Sequence, residues 1–178
     1  MNKKILIISA SPRKGGNSDL LCDEFMRGAF ESDHEVEKIR LSEKTINYCT
    51  GCCACIGKQG SCVQPDEMNE ILDKLLDSDV MVLATPVYFH SMNAHLKTFI
   101  DRVCPIYTLL KEKDVYFVVA AAGNETLIER TAQSLRVFTD CLKNVQEKGI
   151  ISVTGVWNVG DVKQTPAMSR AYRAGKNV

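Results

Sequence analysis

Three stretches of the chain are continuously apolar or small: Ile5-Leu6-Ile7-Ile8 with Ala10, Val80 to Ala84, and Val115 to Ala122. Unbroken runs of this length suit strands buried on both faces of a parallel sheet rather than half-exposed ones. Between them the period changes. Leu20, Leu21, Phe25 and Ala29 recur at helical spacing and predict a first helix ending near Phe30. Val36, Ile39 and Leu41 mark a short, exposed second strand over 35–41. Pro65-Asp66-Glu67 carries the usual start signals of a helix whose apolar face is Met68, Ile71, Leu72, Leu75 and Leu76. Leu96, Phe99, Ile100 and Val103 predict another over 93–103. A long helix follows through Ile128, Thr131, Leu135, Phe138, Leu142 and Val145, stopped by Gly149. Its three-four stripe is that of a helix packed on a sheet. A last strand over 150–156 and a short helix after Thr165-Pro166 complete the pattern.

Strands alternating with helices predict an α/β domain: a parallel sheet with right-handed crossovers over residues 1–178. Ligands of such sheets bind beyond the carboxyl ends of the strands. The loops on that edge are 9–18, 85–93 and 120–126. The first, Ser11-Pro12-Arg13-Lys14-Gly15-Gly16-Asn17-Ser18, joins a buried strand to a helix N-terminus, where unpaired N–H groups and the helix dipole favour an anion. Ser11, Arg13, Asn17 and Ser18 can complete a phosphate cage; an ordinary loop with Asn17 or Ser18 as N-cap is the simpler alternative. Neither G-x-G-x-x-G nor G-x-x-x-x-G-K-[ST] occurs, so a mononucleotide monophosphate fits better than a dinucleotide or a triphosphate. Its ring needs apolar walls, which Pro86, Val87, Tyr88 and Phe89 offer, while Ala121, Ala122 and Gly123 allow close backbone approach.

Charge balances at 22 basic against 22 acidic residues, which speaks against nucleic acid as a partner. The first apolar run is too short for a membrane span or a signal peptide. Eight cysteines without a secretion signal point to a reducing cytoplasm, where clustered thiols bind metal or do redox work. Residues 42–65 have no period and hold Cys49, Cys52, Cys55 and Cys62 as C-x2-C-x2-C-x6-C, with Cys53 extra. Four such thiolates in a Gly-rich loop can wrap a cubane cluster; zinc and metal-free thiols are the alternatives. Cys22, Cys104 and Cys141 fall at apolar positions of predicted helices and read as small core residues.

Ser11-Pro12-Arg13 to Asn17-Ser18, Thr85-Pro86-Val87-Tyr88-Phe89 and Leu96-Lys97-Thr98-Phe99-Ile100-Asp101-Arg102 together resemble the flavodoxin-like FMN reductases, including their multimeric-flavodoxin and iron–sulfur flavoprotein branches. The resemblance runs over nearly the whole chain. It implies a doubly wound five-stranded parallel sheet in order 2-1-3-4-5 with FMN at its carboxyl edge. Ser11, Arg13, Asn17 and Ser18 would hold the phosphate, Pro86 to Phe89 one side of the isoalloxazine, and Ala121 to Gly123 the other. The iron–sulfur branch carries a compact motif that the four cysteines match, implying a 4Fe-4S cluster. The implied activity is hydride transfer from NAD(P)H to FMN and on to a quinone, flavin or other small acceptor. An electron carrier serving a ferredoxin-like protein is the rival, and a non-enzymatic metal-binding or thiol-sensing module a third reading. A homodimer or homotetramer is implied. No catalytic side chain is required; His90 reads as a wall or solvent-facing residue.

Overall fold

The computed structural model describes residues 2–56 and 60–178. Its five parallel strands are β1 (Lys4–Ser9), β2 (Glu35–Arg40), β3 (Val80–Tyr88), β5 (Asp114–Ala120) and β6 (Gln146–Val153), in sheet order β2-β1-β3-β5-β6. The two-residue β4 (Ser91–Met92) folds back antiparallel on the end of β3. Once β4 is set aside, this is the expected 2-1-3-4-5 order of flavodoxin-like sheets.

Along β1 successive side chains enter opposite cores, because a strand alternates its faces. Ile5 and Ile7 join Leu21 and Phe25 of α1 (Asn17–Phe30) and the small residues Ala167 and Ala171 of α5 (Ala167–Lys176). Leu6 and Ile8 join the other face, covered by α2 (Met68–Asp77), α3 (Ala94–Arg102) and α4 (Glu125–Thr139). The α1–α5 crossing is unusually tight. A Cβ at Gly28 would overlap the Tyr172 carbonyl, and one at Gly175 the Phe25 carbonyl.

The long helix ends earlier than its apolar spacing implies. α4 stops at Thr139, and β6 begins at Gln146. Leu142 sits in the intervening turn with its side chain in the same core, so the stripe outlasts the helix. Gly149 does not stop a helix. It lies within β6, opposite Tyr116 after a one-residue register shift on the paired strands.

Candidate functional site

The carboxyl ends of β1, β3 and β5 open onto a cavity of about 480 Å³ lined by residues of all three edge loops. Its polar end is built by the turn after β1. Ser11 Oγ accepts from the Arg13 N–H (3.2 Å) and donates to the Arg13 carbonyl (3.0 Å), closing the turn locally. Gly16 caps α1 with extended backbone and no side-chain bond, so the first helical N–H groups keep no side-chain partner. A Cβ at Gly16 would run into Ser11 Oγ and the Arg13 carbonyl; only glycine leaves this cradle open. Ser18 Oγ is buried and has no hydrogen-bond partner. An orphaned hydroxyl at an uncapped helix N-terminus is what a phosphate oxygen would satisfy. The residues present therefore fit the phosphate of FMN.

Beneath the turn lies Asp19, a buried carboxylate whose chemistry the sequence did not disclose. Its Oδ2 accepts from the Gly15 N–H (3.1 Å) and Arg40 (2.6 Å), and its Oδ1 from Ser9 Oγ (2.9 Å) and Lys38 (3.2 Å). The loop is thus pinned by one anion that two β2 cations neutralise. Asn17 lines the cavity as expected, and its side chain is also bonded within the fold. Its amide donates to the Asn158 carbonyl (2.9 Å) and accepts from the Val162 N–H (3.1 Å). Arg13 likewise donates to the Trp157 carbonyl (3.1 Å). Both residues tie the phosphate loop to the segment after β6.

That segment supplies Val156 and Trp157, cavity residues absent from the sequence reading. Asp161 holds it by accepting from the Trp157 N–H (2.9 Å) and Asn158 N–H (2.7 Å), and these bonds hold its carboxyl below the usual range. A lone tryptophan just beyond the last strand, on the ligand edge, was the available signal. On the opposite side Pro86, Val87, Tyr88 and Phe89 line the cavity as expected. Phe89 (φ 48°) and His90 (φ 67°) both take left-handed backbone, the geometry of a two-residue hairpin turn between β3 and β4. Phe89 is fully exposed at its tip. His90 faces away to Arg130 (3.1 Å). Buried Asn93 fixes the hairpin's base: its Nδ2 donates to the Ala10 carbonyl (2.5 Å), and its Oδ1 caps α3 at Leu96 N.

The third loop divides its residues. Ala122 lines the cavity together with Ala120. Ala121 is buried in the core on the side of α2–α4. Gly123 lies outside the lining and accepts from Gly155 N (3.3 Å).

The cysteines form a second, smaller cavity of about 30 Å³. Cys49, Cys52, Cys55 and Cys62 all line it, with Cys53 and Cys104. Among the described residues, no three histidine, cysteine or acidic groups approach closely enough to hold a metal ion. The donor set nonetheless has the composition of a thiolate cluster site. Cys104 corrects an expectation. It is exposed, because α3 ends at Arg102 and the chain turns there, and its Sγ lies 3.8 Å from Cys55 Sγ. Cys141 is also exposed, in the turn after α4, whereas Cys22 is fully buried and its thiol is pushed up by desolvation. Cys52 is lowered by the Ala54 N–H and the Thr50 hydroxyl.

The sequence over residues 3–157 matches the family model of NADPH-dependent FMN reductases. The chain belongs to that family. FMN is accordingly its cofactor. An iron–sulfur flavoprotein of Archaeoglobus fulgidus is 46% identical over 102 residues, 57% of this chain and 46% of that protein. A putative NAD(P)H-dependent FMN-containing oxidoreductase of Bacillus subtilis is 31% identical over 101 residues, 56% of this chain and 51% of that protein. The match thus spans about half the length of these curated relatives. Among solved structures, an NAD(P)H:quinone oxidoreductase from Methanothermobacter marburgensis superposes with a TM-score of 0.76 at 20% identity, covering 99% of this chain and 97% of that one. At that identity the likeness concerns the fold.

Proposed function

We propose that this member of the FMN reductase family transfers a hydride from NAD(P)H through FMN to a quinone, a free flavin or another small electrophile. One observation carries the reading: a single cavity joins an open phosphate cradle to aromatic and apolar walls. When bound, FMN supplies the redox chemistry, accepting a hydride and releasing electrons singly or in pairs. The chain's part is binding and orientation. Ser18, the first N–H groups of α1 and Ser11 hold the phosphate; Pro86 to Phe89, Ala120 and Ala122 frame the ring. Trp157 stands at the other rim. The test is steady oxidation of NADH or NADPH by FMN-loaded protein with a quinone acceptor, monitored at constant oxygen exclusion. Failure to turn over with either nucleotide overturns the reading.

A second reading has its own support. The six-cysteine cavity and the likeness to an iron–sulfur flavoprotein favour a 4Fe-4S cluster on Cys49, Cys52, Cys55 and Cys62, relaying electrons from a ferredoxin-like partner. α3 links the two sites: Asn93, its cap, touches the loop after β1, and Arg102, its last residue, lines the cysteine cavity. Nine helical residues span ~13 Å, a short path for such a relay. Absorption before and after dithionite, with iron and acid-labile sulfide on the same anaerobic sample, decides between flavin alone and flavin with cluster. No helix of the described residues is long and apolar enough to cross a membrane, as a cytoplasmic location would require. The exposed Phe89, Trp157 and Val159 support a homodimer or homotetramer.

A further inference from the structure

Among the described residues Arg102 is the largest fully buried side chain, 1% exposed, and the side chain of its partner Asp66 is equally buried at 1%. The two carboxylate oxygens take the guanidinium's terminal nitrogens at 2.8 Å each. Nη1 also donates to the Asn47 carbonyl (2.6 Å), and Asp66 Oδ2 accepts from the Asn47 N–H (3.0 Å). One ion pair therefore clamps both ends of the cysteine segment, since Asn47 precedes Cys49 and Asp66 follows Cys62. This accounts for every polar nitrogen of Arg102 except Nε, which is buried without a partner. Leaving a charged donor unsatisfied in the interior is costly, and structures rarely tolerate it without a use.

Arg102 and Asp101 line the cysteine cavity alongside the thiols. Cys62 is among the thiols that line this cavity with Arg102. Cys62 is itself held by its backbone: Asn69 accepts from its N–H (2.8 Å) and donates to its carbonyl (3.0 Å). We infer that Arg102 is a positioning residue for an anionic iron–sulfur group in this cavity, its free Nε–H donating to the sulfur of Cys62 or to the group it ligates. The inference rests on the cluster reading above. A cubane held by four thiolates carries net negative charge that grows on one-electron reduction. A fixed cation with a hydrogen bond to sulfur favours the reduced form, and both are recognised determinants of cluster potential.

The experiment reconstitutes three proteins anaerobically with ferrous iron and sulfide: wild type, Arg102→Lys, and Arg102→Met combined with Asp66→Asn. The double change removes both charges together, so no carboxylate is stranded. Circular dichroism and FMN content establish that each is folded, and a dye-mediated redox titration with dithionite gives the cluster potential. The expected result is full iron and sulfide in wild type, and a more negative cluster potential in the double variant with the flavin potential unmoved. Arg102→Lys, which keeps the charge but lacks Nε–H in its fork, shifts less in the same direction and serves alone if the double variant does not fold. Equal cluster potentials in the folded proteins overturn the role of Arg102 while leaving the cluster. Wild type that takes up no iron or sulfide overturns the cluster reading, and this inference with it.

Discussion

The hydroxyl of Ser18 has no partner, sits within the first turn of α1, and is buried. A hydrogen bond to a charged acceptor is worth about 1.5–3 kcal/mol, so Ser18→Ala should weaken FMN binding roughly 10- to 100-fold. Titration of flavin fluorescence against apoprotein measures this directly; an unchanged Kd removes Ser18 from the phosphate site. Asn17→Ala should act otherwise, through the loop. It frees Asn158 and Val162, so its loss in affinity should come with faster amide exchange in 156–162. Normal protection there would sever that link. The comparison shows what the local sequence could carry. The place of Ser11 and Ser18 at the cavity was legible because strand, polar loop and helix start are contiguous. The use of Asn17 and Arg13 was not, because their partners lie more than a hundred residues away. Asp19 was hidden for the same reason: its cations come from β2, and one acidic residue in a first helical turn looks ordinary.

Among the elements, the pairing of α1 with α5 depends on the absence of two side chains. A methyl at Gly28 meets backbone, the Tyr172 carbonyl, which has no flexible end to swing aside. Gly28→Ala should therefore cost about 1–3 kcal/mol despite alanine's better helix propensity, lowering Tm by several degrees. Gly149→Ala is the contrasting case. Its Cβ would sit 3.7 Å from Tyr116 Cδ1, an ordinary contact, so its Tm should stay within about two degrees of wild type. Thermal unfolding by circular dichroism ranks the two, and a larger loss at Gly149 contradicts the packing described here. Strand and helix identities were readable because buried strands are continuous and the helices amphipathic. The end of α4 was not: Leu142 fills the core from a turn as a helical residue would, and hydrophobic period cannot distinguish the two.

Across the whole molecule, stability in acid should hinge on the cysteine segment. Arg102, with the N–H groups of Asn47 and Met68, holds the Asp66 carboxyl far below the usual carboxylate range despite its burial. A depressed folded-state pKa contributes stability that is complete above the unfolded value, about 3.9, and is lost as pH falls toward the folded value. Urea midpoints should thus hold steady near neutrality and drop as pH falls below about 4. Asp114, lowered by Lys3 and Lys148, adds to the same slope at the far end of β5, whereas Glu67 and Glu70 are exposed pairs of little weight. The two contributions separate by location. Protonating Asp66 releases Asn47, Met68 and Arg102 together, so hydrogen exchange below about pH 4 should rise in the described residues of 47–66 before it rises in the sheet. Simultaneous opening of segment and sheet would show that the clamp does not control the segment. In the sequence, Asp66 looked like a helix-start residue, which its bond to Met68 N partly justifies. Its decisive partner lies 36 positions later on another helix, and a pairing of that range leaves no periodic trace. The same holds for Cys104: its neighbourhood with Cys55 exists only because α3 ends where Arg102 is clamped, carrying the following turn back over the cysteines.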